Sequence, residues 1–290
     1  VIRQKSKPSP QGRTSAHGAH ATYRISVNVA LTVVAAAFVF PMLWMVIAAF
    51  DPGAGLMLKA PERWSLDNFR AIADMRTLGQ PLVNSLVIAG GASALVVALS
   101  LVTAYPLSRF KLRYGNPYIY TMLFASALPV TAIMVPVYVM FVQFNLVNSI
   151  TGVILFRAAS QLPYAVWLMK SFMDAIPVEL EEAAWVDGAS RLRSALTIVL
   201  PLMAPATATI FVVNFIETWG NFFVPFILLH EQAKFPLSVS LYSFFGQYGE
   251  VVYGHLAAFS LIYTLPSILI YFLMAKPLQQ GFRMGGAVKT

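Results

Sequence analysis

Six apolar stretches alternate with polar linkers along the chain, at about residues 27–50, 83–105, 118–142, 150–170, 204–229 and 256–275. A helix needs about 20 residues to cross about 30 Å of hydrocarbon, so each stretch is long enough to span a bilayer. Lipid offers the backbone no hydrogen-bond partner, so such segments close their own bonds as helices. The pattern therefore predicts an all-α polytopic membrane protein with six transmembrane helices. Pro129, Pro136, Pro163, Pro225 and Pro266 fall inside these stretches, and each predicts a kink. Residues 1–26 are basic and rich in Ser, Gly, Pro and His, which predicts a flexible tail ahead of a transmembrane domain over 27–290. The run from Val27 to Phe50 is too long for the apolar core of a signal peptide, and it reads as a retained first span.

Composition agrees with this reading: 58% of the residues are hydrophobic, 11% are charged and mean hydropathy is +0.69. The absence of cysteine excludes disulfides and thiolate chemistry. The net charge of +8 reads as topology. Arg3, Lys5, Lys7, Arg13 and Arg24 precede the first stretch; Arg109, Lys111 and Arg113 follow the second; Lys170, Arg191 and Arg193 follow the fourth; Lys276, Arg283 and Lys289 follow the sixth. The linker 143–149 has no charge and 230–255 has Lys234 as its one basic side chain, whereas 51–82 mixes both signs. By the positive-inside rule, both termini face the cytoplasm of a plasma (inner) membrane protein. No basic patch is interleaved with aromatics, so a nucleic-acid partner is not expected.

The loop 171–203 concentrates charge between two apolar runs. Pro177 suits a helix start, and Glu179, Glu181 and Glu182 then sit near the positive end of the helix dipole. Ala183, Ala184 and Trp185 continue that helix, and Asp187-Gly188 ends it, because glycine tolerates the left-handed conformation. Ser190 can cap a second helix carrying Arg191 and Arg193, which stops before Pro201. The expected shape is two short helices joined at a glycine elbow. An ordinary amphipathic surface loop is the competing reading.

The spacing E-A-A, three residues, G, nine residues, I-x-L-P resembles the EAA motif of ATP-binding-cassette (ABC) importer permeases. Glu182, Ala183, Ala184, Gly188, Ile198, Leu200 and Pro201 occupy its positions. Further runs resemble the carbohydrate branch, in the manner of the maltose-type second permease. These are NSL at Asn84–Leu86, AYPLSRF ending at Phe110, LP…VPVY through Pro129, Pro136 and Tyr138, FPLSVSLYSF ahead of the sixth stretch and GGAVK at the end. The resemblance implies the type I importer permease fold with cytoplasmic coupling helices. It implies that Glu181, Glu182, Ala183, Ala184, Asp187, Gly188 and Arg191 meet a separate ATPase, with a tail contact at Gly286 and Lys289. It further implies two ATP-binding-cassette subunits, a homologous permease completing a heterodimer, and an extracytoplasmic solute-binding protein. No G-x-x-x-x-G-K-[ST] occurs, so ATP and Mg are expected in the partner ATPase, with no cofactor on this chain.

Arg157 and Glu217 are ionisable residues inside predicted spans, where each costs about 2.5–3.5 kcal/mol at the bilayer centre. Arg157 reads either as part of a path or as a side chain snorkelling to the interface. Glu217, Trp219 and Asn221, with Asn214, offer the carboxylate, ring and amide groups that a sugar or polyol path uses. An interhelical hydrogen-bond cluster is the alternative. Where the family usually shows Trp-Asn-Glu/Asp-Phe, this chain has Gly220 and Asn221. His17, His20, His230 and His255 lack ligand spacing, so no metal and no enzymatic site is expected. An ion-coupled transporter or channel remains the alternative function, and it predicts transport without an ATPase.

Overall fold

The computed structural model describes residues 11–57, 59–245 and 251–286, with side chains described between Arg24 and Ala275. Among the described residues every regular element is helical. In chain order they are α1 (Gln11–Phe50), α2 (Asp67–Ile72), α3 (Gln80–Arg109), α4 (Gly115–Ser126), α5 (Val130–Gln143), α6 (Ile150–Asp174) and α7 (Glu179–Val186). Then come α8 (Arg191–Ser194), α9 (Leu200–Leu202), α10 (Ala204–Trp219), α11 (Phe223–Leu228), α12 (Leu237–Ser240) and α13 (Tyr253–Gly286).

Among the described residues three stretches are long and apolar enough to cross a membrane: Arg24–Phe50, Met75–Arg109 and Tyr253–Ala275. α6 has the length, but Arg157, Lys170 and Asp174 interrupt its apolar surface. The remaining two predicted spans are broken. The stretch 118–142 is not one helix: α4 and α5 meet at 95°. Pro129 sits between them with ψ 129°, so it ends one helix and starts the next instead of kinking a continuous one. The stretch 204–229 is likewise divided. α10 bends 66° from the segment Arg191–Leu202 and ends at Trp219, and α11 starts only at Phe223. There the Val224 amide donates to the Asn221 carboxamide oxygen at 3.0 Å, which begins a new helix. At the other end of the chain, α1 starts at Gln11, so helix extends through much of the region expected to be a flexible tail. Pro10 precedes it, and no proline follows until Pro41, so nothing in between forces the helix to stop.

α3 is the central mast. It packs along α6 and against α10, while α1 and α13 pair on the far side of α10. Three apolar clusters fill the seams. Val96, Met169, Met173, Met203 and Ile210 close one end of the α3–α6–α10 bundle. Ile88, Met134, Phe141, Val153 and Leu228 close the other. Phe215, Trp219, Leu237 and Phe259 join α10 to α13.

Three polar clamps fix the connecting segments. Asn68 donates from its amide to the carbonyls of Ala48, Ala49 and Asp51, so it satisfies the end of α1, whose last carbonyls have no helical partner. Gly254 lies so close that a Cβ there would sit 2.5 Å from the Asn68 amide, which is why α13 can begin against α2. At the start of α3, Asn84 donates to the carbonyls of Ala233 and Phe235, and the Leu237 amide donates to Ser85. Asn148 holds the next loop: its carbonyl oxygen accepts from the His230 and Glu231 amides, and its amide donates to the Glu231 carboxylate at 2.6 Å.

Candidate functional site

The 30 residues of α3 extend about 45 Å, which separates two polar regions at its ends. The 233–237 segment sits at the start of α3. The elbow formed by α7 and α8 sits at its end.

In the elbow, Val178 and Glu179 start α7, and Gly188 turns the chain with φ +86°, in the left-handed region. The Ala189 amide donates back to the Ala184 carbonyl, closing the helix end. Ser190 accepts from the Arg193 amide and caps α8. The second helix does not stop after α8. A π-type turn over Ala195–Val199 carries it into α9, through Pro201.

Glu181 and Glu182 are neighbours with opposite surroundings. Glu181 is fully buried, and its carboxylate accepts from Arg109 Nε and, at 2.8 Å, from the Tyr105 hydroxyl. Arg109 also donates to the Ile176 carbonyl and to Ser108. Ser108 donates to Asp174, which pairs with Lys170. The elbow is thus bolted to the ends of α3 and α6. Arg191 adds a second fastening, with its guanidinium 5.3 Å from the Phe110 ring and 5.4 Å from Trp185. Trp185 Nε1 donates to Ser194 at 2.8 Å and ties the two arms together.

Of the residues expected to meet an ATPase, Glu182, Ala183, Asp187, Gly188 and Arg191 are exposed and Ala184 is half-buried. Glu181 is sealed inside this chain. Apolar side chains surround the exposed tip, with Val186 88% and Leu192 70% exposed. Gly286 is the last residue of α13, and Lys289 lies outside the described residues. Tyr105 and Arg109 belong to the AYPLSRF run, yet the sequence assigned them no role. Their i, i+4 spacing, which puts both on one helix face, was the available signal.

The structure does not gather Glu217, Trp219, Asn221 and Asn214 into one site. Trp219 is buried, stacked on Phe215 at 5.6 Å and Tyr263 at 6.0 Å, and its Nε1 donates to the Tyr263 carbonyl. Asn214 is buried and donates to the Ile210 carbonyl one turn back. Asn221 starts α11, as described above. Glu217 alone faces outward, its side chain 60% exposed, and its partner is Arg157, 3.6 Å away on α6. Arg157 therefore does not snorkel; it is buried between α6 and α10. Its Nε and Nη2 make no hydrogen bond among the described residues, nor does the Gln161 carboxamide oxygen one turn along. The Gln161 amide does donate to Thr218.

Comparison with known proteins places this arrangement. Residues 96–283 match the family described as binding-protein-dependent transport system inner membrane component. The melibiose/raffinose/stachyose import permease MelC of Bacillus subtilis is 31% identical, covering 79% of this chain and 83% of its own. The trehalose/maltose transport system permease MalG of Thermococcus litoralis is 29% identical, covering 90% and 96%. The diacetylchitobiose uptake permease NgcG of Streptomyces coelicolor is 28% identical, covering 80% and 78%. In the crystal structure of a bacterial ABC transporter that imports the acidic polysaccharide alginate, one chain superposes with a TM-score of 0.78. That match covers 94% of this chain and 99% of the other, at 19% identity, and so establishes the fold alone. With the helical bundle and the family match in agreement, the chain belongs to the binding-protein-dependent transport system inner membrane component family and is a permease subunit of an ABC importer.

Proposed function

We propose that this permease moves a sugar or related polyol across the plasma membrane, with the coupling loop 171–203 and its elbow transmitting the work of a separate ATPase. The observation that carries the proposal is the division of labour between Glu181 and Glu182. One carboxylate locks the elbow to α3 and α6, and the next stands exposed at the tip beside Gly188. A push on the tip is then passed through the Glu181–Arg109 lock into two membrane helices instead of being lost in a loose loop. ATP binding favours one of two conformations by binding it better. ATP and Mg belong to the ATPase pair in this reading, and the chain itself performs transport and no catalysis.

Six spans, counting α4–α5 and the bent segment through α10 as one each and α6 as another, put both termini in the cytoplasm. Six spans are too few to enclose a solute path, so a homologous permease completes a heterodimer. Support for a path at its interface comes from Glu217. An ionised side chain that exposed is too costly against lipid, so a second protein or an aqueous passage covers it. The outer linkers 51–82 and 230–255 receive a solute-binding protein. Sugar as cargo is supported by the relatives, which are named for melibiose, trehalose and diacetylchitobiose.

Reconstitution tests the whole reading. Proteoliposomes holding both permeases and the ATPase should take up raffinose or trehalose only with ATP and the binding protein present. Transport by this chain alone, driven by an ion gradient, would sink the proposal in favour of a secondary transporter.

A further inference from the structure

At the end of the bundle opposite the elbow, a cavity of about 400 Å³ opens between the start of the α3 arm and the 226–243 segment. Its volume falls in the range of small-ligand sites. One wall is aromatic: Phe226 and Tyr242 line it with ring centroids 5.8 Å apart, and Phe222 backs both from behind the wall, 4.8 Å from Phe226 and 5.7 Å from Tyr242. Phe226 is 42% and Tyr242 60% exposed, so ring surface is available to a ligand. The other wall is polar, with Arg76, His230, Gln232 and Ser243. Among the described residues, no hydrogen bond occupies the Gln232 amide, the Tyr242 hydroxyl or the Arg76 guanidinium. His230 Nε2 is held 3.2 Å from the Tyr138 hydroxyl, which fixes the ring and leaves its other nitrogen uncommitted.

The walls are built on fixed backbone. Asn84 holds the carbonyls of Ala233 and Phe235, Ser85 holds the Leu237 amide, and Asn148 holds the amides of His230 and Glu231. The nearby Glu231 carboxylate is engaged by Asn148 and Lys234, and among the described residues no carboxylate lines the cavity. A stacking wall facing several free donors and acceptors suits the ring and hydroxyls of a sugar. A cation finds no counter-charge among the described lining residues, and a purely apolar solute would strip water from the polar wall without replacing its bonds.

We propose that this cavity is an outer saccharide subsite, which holds one sugar ring on Tyr242 and Phe226 with Gln232 and Arg76 bonding its hydroxyls, separately from any contact at Glu217. The inference rests on the sugar reading given above. It is tested on the assembled importer in nanodiscs, without binding protein and without ATP, by saturation-transfer NMR with raffinose, trehalose and N,N′-diacetylchitobiose in turn. At least one of these should show transfer to its ring protons. Tyr242→Ala should weaken that binding about tenfold, Tyr242→Phe much less, and Gln232→Ala by a few fold. Absence of transfer with all three sugars, or equal binding by wild type and Tyr242→Ala, overturns the subsite. Uptake assayed in parallel separates the two ideas: ATP-driven uptake without outer binding removes the subsite only, and ATP-independent uptake removes the transport reading itself.

Discussion

Glu181 and Glu182 in the elbow, and Glu217 and Trp219 on α10, are two pairs of near neighbours that the fold pulls apart. In the elbow the separation builds a part: one side chain anchors and the other presents. On α10 it dissolves a grouping, because Trp219 turns into the α13 seam while Glu217 faces outward to meet Arg157. The elbow keeps its expected shape because its geometry is local, set by a glycine turn and a serine cap within 20 residues. The α10 segment changes meaning because a helix rotates successive side chains by about 100°, so residues two apart face different neighbours.

The largest expected effect breaks the anchor. Arg109→Ala leaves Glu181 buried without its ion pair and should cost about 3–5 kcal/mol of stability, read by thermal unfolding in detergent. The double variant Arg109→Met with Glu181→Leu should recover most of that loss. A single variant that melts with wild type would mean that the lock is not structural. On the presenting side, Glu182→Ala should leave unfolding within about 0.5 kcal/mol while ATP-driven uptake falls about tenfold. Equal losses in both measurements would erase the contrast between the two carboxylates.

Gly188→Ala probes the turn that separates them. No atom lies within 4 Å of the new Cβ, so the cost is that of the left-handed backbone, about 1 kcal/mol. Gly188→Asn should cost less, and unfolding measured side by side gives the order. For α10, Trp219→Phe should lose about 1 kcal/mol through the missing bond to the Tyr263 carbonyl, with the KM for sugar unchanged. A KM shift in that variant, larger than in Glu217→Gln, would return Trp219 to the solute path.

The smallest effect concerns the opposite end of the bundle. Hydrogen bonds from Lys234 first and Asn148 second hold the Glu231 carboxyl below its ordinary range. A depressed carboxylate stabilises the fold above its unfolded pKa and loses that contribution as pH falls through its folded value. Protection of the His230 and Glu231 amides in hydrogen exchange should therefore weaken only on acidification below about 4.5. Weakening already near neutral pH would mean that the Glu231 carboxylate does not hold this loop.

Much of the fold was legible. Apolar runs of spanning length announced helices, and the elbow motif announced its own turn and cap, because propensity, capping and glycine conformation act within a few residues. The breaks were harder to read. Pro129 marked a kink but not a 95° turn, and Gly220 gave no warning that α10 would end there. Those outcomes depend on what packs against the free ends. The candidate solute residues were chosen by proximity in sequence, which a helix does not preserve in space.

The sequence by itself determined the class of molecule, its helical character and the turn and cap of the elbow, since hydropathy, charge and local backbone chemistry need no distant partner. Only the tertiary structure decided that Glu181 is buried on Tyr105 and Arg109, more than 70 positions earlier in the chain. It also decided that Arg157 pairs with Glu217, and that Tyr242 and Gln232 share a cavity with Arg76. Charge pairs and cavity walls form between helices, and their partners are chosen by how the helices pack.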